Sequence, residues 1–351
     1  MTHKCIYCKK EKDASEFNRE HVVPRMMGTY ENGFVLNDNQ VCKECNTCFS
    51  IELENPISLD SFEAFLRMQH GRGMSDGRTL GNHRISLTGN EGVFKGLNFS
   101  VVADSQNDEN IHLDINPCIG IINDASKNEY NYYTLESLPE VTEEILSRIR
   151  GISAAIITNG YTQKEAEPVL KEKGYLRNDY KYSEGIVADL HGKAEIDTAI
   201  KVSIDSIMRR VCAKTVFNYL CFSEGKEFVL QPRYDFIRNY IRYGTWDDTL
   251  WFRYSQEPVS TAKLPNETSH SVGYMMFPKD GYWEMCGCLT WFGQLTYIFK
   301  LGVTDMAIKR FNTLPTTKMA YFNNIDRTIS QDEAVFVYGG RTGDQFSVLN
   351  L

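Results

Sequence analysis

Residues 37–46 read NDNQVCKECN, and residues 5–8 read CIYC. Together they hold two Cys-x-x-Cys pairs, Cys5/Cys8 and Cys42/Cys45. Each pair puts two sulfurs on one tight turn. Two such turns complete the tetrahedral four-sulfur site that a structural zinc prefers. The competing reading is four unrelated buried cysteines, and the paired spacing favours zinc. Thirty-three residues separate the pairs, more than the simplest zinc ribbons use, so something must be built inside the gap. Within it, residues 20–24 read EHVVP, with Asn37 further along and Asn46 directly after the last cysteine.

These pieces resemble the HNH endonucleases, the ββα-metal or His-Me finger nucleases, in a treble-clef variant with a four-cysteine zinc. The family pattern runs acidic-His-x-x-Pro, then Asn-x-x-x-x-Cys-x-x-Cys followed by Asn or His. The resemblance covers about the first 70 residues and implies a small ββα unit around zinc. It also implies roles. Glu20 and Asn46 are expected to bind a catalytic divalent ion, Asn37 to hold the loop and orient His21, and Pro24 to end the first strand. Hard oxygen ligands suit magnesium or manganese, while the four thiolates close the zinc site to substrate. Asn39 is an alternative to Asn37, Glu54 a further oxygen for the ion, and Cys48 an alternative zinc ligand.

The chemistry accounts for these residue types. Phosphodiester hydrolysis needs a base for the attacking water and positive charge for the transition state. The imidazole of His21 titrates near neutrality and suits the first task. A purely structural zinc module has no use for the Glu20–His21 pair.

Composition bounds the remainder. The chain has 351 residues, 42% hydrophobic and 24% charged, close to ordinary globular usage. Its formal charge of -8 argues against coating nucleic acid by bulk positive charge. That charge is uneven: residues 1–100 hold 12 basic and 13 acidic side chains, and residues 101–200 hold 9 and 18. The first residues are polar and basic, and no apolar run nears the ~20 residues of a membrane span, so the chain reads as soluble and cytoplasmic.

The expected fold class is α+β: a zinc-stapled HNH module over 1–69, a Gly-rich basic linker over 70–84, and a mixed α+β region over 85–351. A subdomain break is expected near 200. The linker reading rests on Gly71, Gly73, Gly77 and Gly81. Thr142 and Pro168 are read as helix starts. Residues 203–222 read as an amphipathic helix whose polar face carries Arg210, Lys214 and Asn218 at i, i+4 and i+8. Arg72, Arg78, Arg210 and Lys214 are the candidate nucleic-acid contacts; a solvated tether and a solvated helix face are the competing readings.

The resulting expectation is a metal-dependent endonuclease acting on DNA. By analogy with other HNH modules joined to larger regions, it is a bacterial restriction or anti-phage effector whose C-terminal region senses a partner or ligand. A homodimer is expected because double-strand cuts need two single-site nucleases. The alternatives are a non-catalytic zinc module that binds nucleic acid or protein, and an HNH nuclease acting on RNA.

Overall fold

The computed structural model describes residues 1–30, 33–71, 75–106, 109–176, 196–258, 264–279, 282–307 and 316–335. The chain forms two compact units: Met1–Met74 with Ile204–Leu351, and Ser75–Ser203. The second unit is therefore an insertion in sequence. The N-terminal module shares its unit with the C-terminal third, a different division from the expected 1–69 and 85–351.

The first unit begins with a short hairpin, β1 (Thr2–Lys4) and β2 (Glu11–Asp13), whose turn carries Cys5 and Cys8. A second antiparallel pair follows, β3 (Phe17–His21) and β4 (Val35–Cys42). Helix α1 (Lys43–Phe49) starts directly at the end of β4, with Cys42 as its N-cap residue. This is the ββα order that the resemblance implies. A π turn (Ser50–Glu54), α2 (Asn55–Ser58) and α3 (Phe62–Gln69) complete the N-terminal part. Ser61 caps α3 by accepting from the Ala64 N–H at 3.0 Å.

The inserted unit has two antiparallel sheets. The first contains β5 (Ile85–Gly89), β6 (Asn98–Ala103), β7 (Ile111–Ile115) and later β11 (Thr198–Val202), in order β11-β5-β6-β7. The second contains β8 (Cys118–Asp124), β9 (Glu129–Tyr133) and β10 (Ile156–Asn159), in order β10-β8-β9. Helices α4 (Glu143–Ile149) and α5 (Gln163–Glu172) help enclose a core that includes Ile119, Ile121, Ile149 and Leu170. Thr142 caps α4 as expected. Pro168 lies inside α5 rather than at its start, which a Thr162/Glu165 capping box sets instead.

The expected linker is also more ordered than its glycines suggest. Backbone hydrogen bonds tie Gly77 and Arg78 to Ala103, and Leu80 to Val101, and the Leu80 side chain is buried. Residues 77–80 thus extend the sheet at β6. Arg72 lies outside the described residues, and Arg78 is exposed.

The chain returns to the first unit through α6 (Ser206–Glu224), α7 (Lys226–Val229) and α8 (Asp235–Tyr243). A six-stranded antiparallel sheet follows: β12 (Phe252–Ser255), β13 (His270–Lys279), β14 (Tyr282–Trp291), β15 (Leu295–Ala307), β16 (Thr316–Phe322) and β17 (Ile329–Val335). Its order is β12-β15-β14-β13-β16-β17. Helix α6 is buried at every position from Val211 to Cys221, so it is a central helix rather than a surface one. It packs against β13, β14 and β15, and also against β4, α2 and the π turn. Gly287 permits the close approach to the sheet. A Cβ there would meet the Phe299 ring at 2.7 Å and Val216 at 3.0 Å.

His270 shows how tightly the N-terminal part is joined to this sheet. Its Nδ1 accepts from the Phe292 N–H at 3.0 Å, which leaves the proton on Nε2, 3.0 Å from the Met27 carbonyl. The ring is fully buried, and burial pushes its pKa down to about 4. The unfolded chain takes up this proton near pH 6.5, whereas the folded state refuses it until about 4. Stability from this group is thus complete above pH 6.5 and lost as pH falls through that window, by about 3 kcal/mol in all. Denaturant unfolding at pH 7.5 and at pH 4.5 measures the loss. The His270→Gln variant is expected to lose less over the same interval.

Candidate active site and zinc centre

The four cysteines converge. The sulfurs of Cys5, Cys8, Cys42 and Cys45 all lie within 4.8 Å of one another, and Cys8 and Cys42 are 3.9 Å apart. A tetrahedron with Zn–S bonds of ~2.3 Å has S···S edges of about 3.8 Å, so the cluster fits zinc. The backbone supports it. The N–H groups of Tyr7 and Cys42 both donate to Cys5 Sγ at 3.4 Å. Lys9 takes the left-handed conformation that closes the first turn, with its N–H on the Cys5 carbonyl at 3.0 Å. The neighbouring sulfurs of Cys42 and Cys45 lower Cys5 to about 7, whereas Cys42 and the other sulfurs push Cys45 up. Four thiols this close cannot all ionise without a cation among them. Cys48 stands apart: it accepts from Arg242 Nη1 at 2.7 Å, and burial raises its thiol.

Strand β3 presents Glu20 and His21 opposite Leu36 and Val35 of β4. The pairing slips between Asn18 and Glu20, because residues 37–40 bulge out of β4 opposite Arg19 alone. Asn37 lies in that bulge. It is exposed, its N–H donates to Gln40 Oε1 at 2.9 Å, and among the described residues no hydrogen bond joins its amide to the His21 ring. Asn39, its alternative, is exposed, and its backbone carbonyl accepts from Lys226 Nζ at 2.7 Å. Asn46 sits in the first turns of α1 and donates to Asn18 Oδ1 at 3.1 Å and the Arg19 carbonyl at 3.2 Å. It sews the helix to the bulged strand.

His21 is half-buried. Desolvation lowers its pKa, Glu20 works against that, and Arg25 and Arg19 add to the lowering. The net effect favours the neutral, proton-accepting imidazole. Arg19 and Arg25 are both exposed. Sequence reasoning passed over these two arginines; their place on either side of EHVVP was the available signal.

Helix α6 supplies what the N-terminal sequence does not contain. The Lys214 ammonium is fully buried and donates to Oε1 of both Glu20 and Glu54, the latter at 2.7 Å. Burial works against its charge, but the two carboxylates override that and raise its pKa. One turn on, Asn218 Nδ2 donates to Glu20 Oε1 at 3.3 Å and to the His21 carbonyl at 3.2 Å. The Tyr7 hydroxyl, beside the zinc turn, donates to Asn218 Oδ1 at 2.6 Å. One turn back, Arg210 approaches Glu52 at 3.9 Å and donates to the Ile241 and Arg242 carbonyls at the end of α8. The polar stripe read as an exposed phosphate face is thus an internal seam. Lys214 is unavailable to nucleic acid, and Arg210 is committed to the α8 terminus.

In this arrangement the two carboxylates expected to hold a divalent ion already have cationic or amide partners on one oxygen each. Glu20 Oε1 is engaged by an ammonium and an amide, and Glu54 Oε1 by the same ammonium, whereas Asn46 donates to β3 through its Nδ2. Among the described residues, the four cysteines are the one group of three or more His, Cys, Asp or Glu ligands that converge.

Residues 5–60 match the family model described as HNH endonuclease. The N-terminal module is of that type, and this family character supports a nuclease that binds nucleic acid. No curated protein and no solved structure matches the chain. No helix among the described residues is long and apolar enough to cross a membrane.

The zinc assignment predicts one zinc per purified chain, measured by elemental analysis. Cys45→Ser is expected to lose the metal and several kcal/mol of stability. Cys48→Ser is expected to keep it.

Proposed function

We propose that the protein hydrolyses phosphodiester bonds in DNA with His21 as the general base. One observation carries this reading: a half-buried histidine, biased toward its proton-accepting form, lies on the hairpin beside the four-cysteine cluster of an HNH-type module. Its ring would take a proton from water as that water attacks phosphorus. Arg19 and Arg25 would draw the backbone phosphate to the exposed side of the strand and offset charge developing on it. Asn218 holds the His21 carbonyl, and Asn46 holds the Arg19 carbonyl, so both ends of this short segment are fixed.

Several finer parts belong to the same proposal. The cation in the cysteine cluster is zinc, and any divalent ion used in cleavage is magnesium or manganese. The setting is bacterial defence against foreign DNA, in the cytoplasm, with the region outside the nuclease module sensing a partner or ligand. Two copies would act together where both strands are cut. The sulfur geometry supports zinc, and the defence setting follows the way HNH modules are combined with larger regions.

A second reading, a non-catalytic zinc module, is favoured by the Lys214 pairing, because it occupies the carboxylate next to the base. The discriminating measurement is nicking of supercoiled plasmid by the full chain with magnesium or manganese, run in parallel on RNA. The wild type is expected to nick DNA. His21→Ala is expected to keep its zinc and to lose at least ~100-fold in rate. Equal rates for the two proteins would remove His21 as the base, and preferential cleavage of RNA would change the substrate.

A further inference from the structure

Lys214 stands 194 residues from Glu20 in sequence and 160 from Glu54, yet its ammonium reaches both carboxylates. We propose that Lys214 is the resident cation of the Glu20/Glu54 pair and keeps divalent ions off it while α6 is docked. The inference rests on reading Glu20 as the acidic ligand of an HNH-type site.

Charge makes the argument. Two carboxylates and one ammonium leave the cluster at a net -1. A divalent ion added beside the ammonium would bring it to +1 and place two cations on shared oxygens. Like charges a few ångströms apart in a buried site repel strongly, and the ion would also shed water to enter. Lys214 and a divalent ion are therefore alternatives, not neighbours.

Geometry decides which alternative the docked helix permits. The Lys214 stem lies on a helix buried from Val211 to Cys221, and its ammonium also lies over the Phe49 ring, 5.6 Å from the centroid. The whole Lys214 side chain is buried where it stands. Glu20 is held by the same helix through Asn218, which Tyr7 fixes in turn. Vacating Glu20 requires α6 to draw back from β3 and the π turn, which also releases the His21 carbonyl. The seam is thus a single latch: it holds the base-bearing strand and excludes the ion together.

The test reads ion binding, without DNA, on the zinc-loaded full chain. Manganese(II) is titrated and the free hydrated ion is followed by electron paramagnetic resonance. The wild type is expected to show no manganese site that Glu20→Gln removes. Lys214→Met, checked for zinc content and circular dichroism, is expected to gain one site at least about tenfold tighter than any in the wild type. That site should vanish in Lys214→Met/Glu20→Gln. A micromolar wild-type site abolished by Glu20→Gln would overturn the proposal, as would folded Lys214→Met with no gain. Should Lys214→Met fail to fold, wild type against Glu20→Gln decides alone: a Glu20-dependent site refutes metal exclusion, and its absence supports it. Cleavage by His21→Ala bears on the nuclease reading instead, so the two can fail separately.

Discussion

The buried contact of Lys214 with Glu20 and Glu54 holds the nuclease module to the rest of its unit. Removing an ionic group from water costs several kcal/mol unless its partners replace that solvation. Here the ammonium has two carboxylates and the face of Phe49, and Glu20 has in addition the Asn218 amide. Neither Lys214 nor Glu20 can stay charged and buried without the other. Docking α6 and forming the β3 end of the hairpin are therefore one event. The same seam continues to Tyr7 at the zinc turn, and Arg238 of α8 reinforces it by donating to the Ile6 carbonyl at 2.6 Å. The four cysteines gather at the turn, and the helices hold that turn against the rest of the unit.

The sequence showed the zinc centre more clearly than any other feature, for a physical reason. A Cys-x-x-Cys turn is local, so its two ligands are visible within four residues, and two copies announce a tetrahedral site. The Glu20–His21 pair is equally local. Asn37 and Asn46 could be counted along the chain, but their contacts could not. A count along a strand cannot see the bulge at 37–40 that turns Asn37 outward. The Arg210, Lys214, Asn218 spacing was visible as a helix face, yet its direction was not. Polar residues on a long helix usually meet water. These meet carboxylates of a segment about 160–195 positions earlier, and pairing across that separation leaves no periodic trace. The unmatched sign was there: Glu20, Glu52 and Glu54 lie on the module's side, and each finds a cationic side chain on α6.

The inserted unit was the least legible part of the fold. Its sheet and helix stretches could be read locally from β-branched runs and from the Thr142 cap. That the chain leaves one compact unit and returns to it 129 residues later could not, because contact between distant segments is a property of tertiary packing. The glycine-rich stretch before it illustrates the limit of composition. Gly77 and Arg78 lack apolar side chains, but their backbone groups find partners on β6, and Leu80 supplies the one buried anchor.

Stability alone does not account for charges at 20, 54 and 214. Three well-packed apolar side chains of similar volume would hold such a seam as firmly as a buried ion pair, and often more firmly, since they carry no desolvation cost. An ion pair differs in one respect that packing cannot copy: it can be exchanged. A carboxylate that loses its ammonium can take another cation, whereas a methyl group can take none. Glu20 is where that difference has chemical meaning, since it adjoins His21, the base of the proposed reaction. Arginine at 214 would serve less well as an exchangeable partner, because its planar fork grips a carboxylate with two bonds and stays charged under all conditions. A lysine offers a compact charge that bridges two carboxylates with one atom. The residue types at this seam therefore suit a contact made to be held and released.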